Sequence, residues 1–190
     1  MNREEQYLFQ DKKMGFFIYL GVEAIMFAVL FATYLIFTPA SSRPYPSEIF
    51  EARIVILSSI FLLSSSGTLW LGERALKKGK DTLLLTGLGV TMLFAIIFLC
   101  FEVYEFTTFV MEGHGMSANV FMSSYYVLVG LHAAHVLFGI GWMAILFVQY
   151  FRQIPRSLFT EKLLIFSYYW HFVDIVWVFI IGIVYVPYLL

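Results

Sequence analysis

Residues 163–190 read LLIFSYYWHFVDIVWVFIIGIVYVPYLL, and Asp174 is the only charged side chain among these 28 positions. A helix needs about 20 predominantly apolar residues to cross the hydrocarbon core of a bilayer, so this stretch is long enough to span it. The rest of the chain agrees. Its 190 residues are 61% hydrophobic and 13% charged, with a mean hydropathy of +0.82, against roughly 25% charged residues in a soluble domain. A core surrounded by water has no room for so many apolar side chains. The sequence therefore reads as one integral membrane domain over 1–190.

Gaps between charges locate the other spans. Lys13 to Arg43 leaves 29 residues interrupted only by Glu23, Arg53 to Glu73 leaves 19, Asp81 to Glu102 leaves 20, and Glu112 to Arg152 leaves 39. With the C-terminal run these predict five helices, near 14–37, 53–73, 83–109, 120–150 and 163–187. The fold class is an all-α, multi-pass transmembrane bundle. Barrel strands are short and alternate in polarity, and no run here does. The first run is too long for the apolar core of a signal peptide and is expected to be a retained helix.

Ten of the twelve basic residues fall in the N-terminal tail, the second loop and the fourth loop, with Arg43 and Arg53 on the other side. Cytoplasmic loops carry the basic excess, which predicts a cytoplasmic N-terminus and a C-terminus outside. Pro39, Pro44 and Pro46 fall in the first loop, Pro155 in the fourth and Pro187 at the far end. Cys100 lies in an apolar run and is expected to be a small buried hydrophobe. No phosphate loop, dinucleotide fingerprint or nucleophile elbow occurs, and no basic stripe suits nucleic acid.

The informative side chains are the polar ones inside the spans. These are Glu23 in the first helix, Glu102 and Glu105 in the third, His132 and His135 in the fourth, and His171 with Asp174 in the fifth. A charge at the centre of a membrane helix costs roughly 2.5–3.5 kcal/mol on insertion scales, so each is expected to face the bundle interior, to pair, or to be protonated. Glu102/Glu105, His132/His135 and His171/Asp174 are all i, i+3 pairs, which places each pair on one helix face. Trp170 and Trp177 fall close to the face of His171 and Asp174. Gly139 continues the face of His132 and His135, where a small residue lets a neighbouring helix approach.

Interhelical hydrogen bonds that fix helix register are the leading reading of this set, for instance between Asp174 and a histidine. Proton handling is the second reading. A metal site built from several helices is the third, because its candidates do not converge in depth: Asp174 lies near mid-membrane and Glu102 and Glu105 near the outer end. Glu23 stands apart, about nine residues or roughly 14 Å into its helix. It reads either as a neutral, hydrogen-bonded structural acid or as a group that takes and gives protons. The second helix carries Ser58, Ser59, Ser64, Ser65, Ser66, Gly67 and Thr68, small residues suited to close helix packing.

Five stretches together resemble one family. GFFIYLGVEAIMFAVLFATY (15–34), LSSIFLLSSSGT (57–68), FEVYEF (101–106), GLHAAHVLFG (130–139) and YYWHFVDIVWVF (168–179) are similar, in order, to motifs of subunit III of the haem–copper respiratory oxidases. The last is nearly that family's W-H-F-V-D-x-V-W signature, and the likeness runs from Met14 to Tyr185.

The resemblance implies a non-redox accessory subunit of a bacterial cytochrome c or quinol oxidase in the plasma membrane. The complex reduces oxygen to water and translocates protons. Haem and copper then belong to partner subunits, and this chain holds no metal and no catalytic residue. Subunit I packs directly against it, with subunit II and a small subunit IV in the complex and phospholipid bound. The implied contribution is to sustain proton uptake and to protect the complex during turnover. Glu23 matches the family's carbodiimide-reactive membrane acid. Mitochondrial members have seven helices, and this chain begins at what would be the third. An independent proton or ion transporter and a membrane di-metal protein are the alternatives from other classes.

Overall fold

The computed structural model describes residues 3–38 and 52–189. Pro39, Arg43, Pro44 and Pro46, expected in the first loop, lie outside the described residues. Five long helices follow one another: α1 (Arg3–Phe37), α2 (Ala52–Lys77), α3 (Asp81–Met111), α4 (Val120–Phe151) and α5 (Arg156–Ile180). Each contains a segment long and apolar enough to cross a membrane, and no strand occurs among the described residues. In hydrocarbon every backbone N–H and C=O must be satisfied within the protein, which a helix does by itself.

Most of these helices outrun the expected spans. α1 reaches back to Arg3, α2 runs on to Lys77, and α5 begins at Arg156. A gap between charges measures hydrocarbon thickness, whereas Lys, Arg and Glu are good helix formers that continue the hydrogen-bond ladder into the interface. The helix ends are set by local chemistry. The side chain of Asn119 accepts from the Met122 N–H at 2.7 Å to start α4. Gly113, at φ 83°, lets the His114 N–H turn back to the Phe109 carbonyl at 2.8 Å to finish α3. At the other end of the chain α5 passes into a π-helical turn, Ile181–Tyr185, and then α6 (Val186–Leu189), in which Pro187 is the second residue. Proline removes one ladder donor and crowds the carbonyl four residues back, and a widened turn before it relieves that crowding.

α2 packs on α3, α3 on α4, α4 on α5, and α5 back on α2, a closed ring of four, while α1 lies against α4 and α5. Half of the apolar span of α5 is buried (50%), compared with 22% for α1. Trp170, Trp177, Phe98, Phe121 and Phe166 fill the ring and are fully buried. Small residues bring α2 and α3 together. A Cβ on Gly87 would stand 2.9 Å from the Thr68 carbonyl oxygen, and the hydroxyls of Thr68 and Thr91 meet at 2.7 Å. Cys100 departs from expectation. It is exposed on the outside of α3, lining a shallow apolar depression with Ile54, Ile97, Phe101 and Tyr104. An apolar run in a membrane helix signals a nonpolar neighbour, and that neighbour can be lipid as well as protein core.

Candidate functional site

The polar residues inside the spans gather in three places. The first joins α1 to α4. Glu23 Oε2 lies 3.2 Å from His135 Nε2, and the two side chains retain 16% and 12% of their exposure. His135 Nδ1 is 2.8 Å from the Leu131 carbonyl of its own helix, which fixes the ring with Nε2 turned toward α1. The Tyr169 hydroxyl donates to the His135 carbonyl at 2.8 Å, and Phe27 packs against the imidazole at 5.2 Å between ring centres. Beside the pair a cavity of about 210 Å³ is lined by Tyr19, Leu131, Ala134, His135, Phe138 and Tyr169. Glu23 was read from the sequence as standing apart. It does so only along its own helix, because its partner is 112 residues away.

The second place is the seam between α2 and α5. The serines of α2 face the signature stretch of α5: Trp177 Nε1 donates to Ser59 Oγ at 3.1 Å and Trp170 Nε1 to Ser65 Oγ at 2.9 Å. Ser66 Oγ donates to Asp174 Oδ2 and lies 2.9 Å from His171 Nδ1. His171 Nε2 in turn stands 4.0 Å from Glu73 Oε1. Asp174 is buried, and its other oxygen has no hydrogen-bond partner among the described residues. The histidine linked to Asp174 is therefore its own helix neighbour, reached through a serine of α2. His132 and His135 point elsewhere.

The third place lies toward the end of the bundle opposite the basic loops. Tyr125 of α4 donates to Glu105 Oε1 at 3.2 Å and meets the Tyr185 hydroxyl at 2.9 Å. Glu102, one turn away, is buried, and its Oε2 has no hydrogen-bond partner among the described residues. His132 is fully buried as well. Its ring stacks on Trp177 at 5.1 Å and 21° and meets the edge of Phe98 at 5.9 Å. Neither ring nitrogen has a hydrogen-bond partner among the described residues.

Gly139 serves the α4–α5 contact. Its ideal Cβ would overlap the ring of Trp170, so the indole occupies the space a side chain would need. Among the described residues no group of three or more His, Cys, Asp or Glu is placed to hold a metal ion. Sequence reasoning missed Glu73, Tyr125, Tyr169 and Tyr185, and it read Ser66 only as a packing residue. Glu73 had a usable signal, since it lies seven residues after Ser66 on the same helix face. The tyrosines, among twelve in the chain, had none.

The family model for cytochrome c oxidase subunit III matches residues 4–188. Among curated proteins, the cytochrome c oxidase subunit 3 of Bacillus sp. strain PS3 is 36% identical over 177 residues, 93% of this chain and 86% of the relative. The probable quinol oxidase subunit 3 of Staphylococcus haemolyticus is 36% identical, over 93% of this chain and 89% of its own length. The cytochrome bo(3) ubiquinol oxidase subunit 3 of Pseudomonas aeruginosa is 35% identical, over 90% and 82%. With five helices able to span a bilayer and a family match over nearly its whole length, this multi-pass membrane protein belongs to the cytochrome c oxidase subunit III family.

Proposed function

We propose that the chain is the non-redox subunit of a bacterial terminal oxidase in the plasma membrane, with its N-terminus cytoplasmic, packed against subunit I and sharing the complex with subunit II. In this reading its contribution is to sustain proton uptake, to bind phospholipid and to lengthen the working life of the complex. Haem, copper and the electron-donor site belong to the partners. The carrying observation is the Glu23–His135 pair at 3.2 Å, deep in the spans yet partly exposed beside an apolar cavity. A carboxyl and an imidazole in contact can pass a proton between them, and a group meant only to lock register would be better hidden. The apolar cavity next to the pair suits an acyl chain.

Purified oxidase carrying Glu23→Gln tests the proposal. Subunit I is expected to co-purify in normal yield, while proton uptake slows or activity decays sooner during sustained turnover. Loss of the association with subunit I would make Glu23 a structural acid and would end the proton-handling reading.

A further inference from the structure

The seam between α2 and α5 does something the Glu23–His135 pair cannot, because its polar groups run in series along the membrane normal. Ser66 Oγ stands beside Asp174 Oδ2, so the two share one depth. His171 precedes Asp174 by three residues, about 4.5 Å nearer the end that carries the basic loops, and Glu73 follows Ser66 by seven, about 10 Å nearer the same end. The His171 side chain is 40% exposed and that of Glu73 16%. The hydroxyl of Ser66 touches both Asp174 Oδ2 and His171 Nδ1, and the far nitrogen of the ring points toward Glu73.

A simple register lock does not need this order. The two tryptophan–serine bonds, Trp170 to Ser65 and Trp177 to Ser59, already hold α5 to α2. A buried carboxyl, a hydroxyl that both donates and accepts, an imidazole with two exchangeable nitrogens and a second carboxyl together make a chain through which a proton can move. We propose that Ser66, His171 and Glu73 form a proton-exchange route that connects the mid-membrane carboxyl of Asp174 with water at the end of the bundle bearing the basic loops. It rests on this chain's own residues and stands whether or not Glu23 handles protons.

The step balances within the four groups. In the acid form of Asp174 the Ser66 hydroxyl hydrogen turns from Asp174 to His171 Nδ1, the Asp174 O–H bond breaks and its proton passes to Ser66 Oγ. The hydroxyl hydrogen of Ser66 passes to His171 Nδ1, and the imidazolium so formed releases its Nε2 proton to the Glu73 carboxylate. One proton has then moved from Asp174 to Glu73, leaving an aspartate anion and the other imidazole tautomer. The reverse passage restores both. The 4.0 Å between Nε2 and Oε1 exceeds a hydrogen bond; Oε1 is buried with no hydrogen-bond partner among the described residues, and a small rotation of the Glu73 side chain closes the gap. Arg74 follows Glu73 with its guanidinium 3.5 Å over the ring of Trp70, marking where the route reaches the interface.

Infrared spectroscopy of the full chain in lipid nanodiscs tests this, with aspartate isotope-labelled in its side-chain carboxyl. Asp11, Asp81 and Asp174 are the three aspartates of the sequence, and Asp81 is exposed in an ion pair with Arg156, so a label-sensitive protonated-carboxyl band at neutral pH reports Asp174. Its shift after transfer to heavy water gives the exchange rate. The band is expected in the wild type, with exchange slowed by about a hundredfold in Ser66→Ala, the scale on which a positioned proton carrier acts, and restored in Ser66→Thr. Glu73→Gln, which leaves the contacts of Asp174 untouched, is expected to slow exchange likewise and gives the reading if Ser66→Ala fails to fold. Equal exchange rates in the wild type and the folded variants would overturn the proposal, as would the absence of a protonated aspartate band.

Discussion

Two acid–histidine arrangements occupy the middle of this bundle and are built differently. Glu23 and His135 meet directly at 3.2 Å and join α1 to α4. Asp174 and His171 sit on one helix and meet only through Ser66 of α2. The first lies at the joint of the least buried span and the second inside the most buried one, 22% against 50%. The same residue types therefore serve two structural situations. Within the ring of α2 to α5, polar contacts are embedded in indole packing that leaves no slack. At the joint with α1 they border a cavity, and both partners of the pair keep part of their exposure. The ring should fail when its packing is disturbed, whereas the α1 joint should tolerate changes that preserve a hydrogen bond.

The largest effect is expected from Gly139→Val. The added branches must displace Trp170, which is fully buried and held by Ser65, so the α4–α5 contact has to open. Overpacking of this kind costs about 3 kcal/mol at the upper end of its usual range. Near-ultraviolet dichroism of the full chain in detergent during thermal unfolding would register it as a lower midpoint with weakened indole signals. An unchanged midpoint would break the contrast at its root, because the ring would then have slack after all.

Asp174→Ala comes next, at about 1–2 kcal/mol, since interhelical hydrogen bonds in membrane bundles average about 0.6 and reach about 1.7. It removes the acceptor of Ser66 and leaves the hydroxyl and His171 to each other. The same unfolding measurement, together with the fraction of chain recovered in the assembled complex, checks this. Unchanged stability and assembly would refute a register role for Asp174. Trp170→Phe sharpens the picture at smaller scale. It keeps most of the ring volume and loses only the bond to Ser65, so about 0.6 kcal/mol is expected. A much larger loss would show that the indole shape, and not the hydrogen bond, holds the seam.

How far these positions could be read from sequence depends on what spacing encodes. The five spans follow from charge gaps because lipid penalises charge along a whole segment at once. An i, i+3 spacing places two side chains about 60° apart around the helix, and that angle proved wide enough for different outcomes. His132 turns inward to stack on Trp177, while His135 turns out to Glu23. His171 and Asp174 instead converge on one hydroxyl. Spacing gives the face, and the partner across the gap decides the contact. For two of the three those partners lie more than 100 residues away, at 112 for Glu23–His135 and 108 for Ser66–Asp174. Cys100 was misjudged for a related reason: hydropathy does not distinguish a lipid-facing position from a core one.

Glu23→Gln should have the smallest effect on stability, below about 0.5 kcal/mol, and it probes the nature of the α1 joint. Nδ1 of His135 gives its hydrogen to the Leu131 carbonyl, so the glutamine amide N–H can donate to Nε2 of the neutral ring, or its carbonyl accept from the charged one, and the geometry survives while the titratable acid is lost. If the native pair is neutral, one neutral hydrogen bond replaces another and the midpoint hardly moves. If the native pair is ionic, the substitution replaces a charge-assisted bond worth about 1.5–3 kcal/mol by one worth about 1, and α1 should loosen measurably. Glu23→Leu supplies the scale, because it removes the polar group altogether and leaves His135 Nε2 without its partner beside the cavity. Protease cleavage within residues 39–51, compared across the three chains, separates the cases. Protection of Glu23→Gln equal to the wild type, with Glu23→Leu cut faster, places the joint on a hydrogen bond alone, and equal loss in both variants places it on charge.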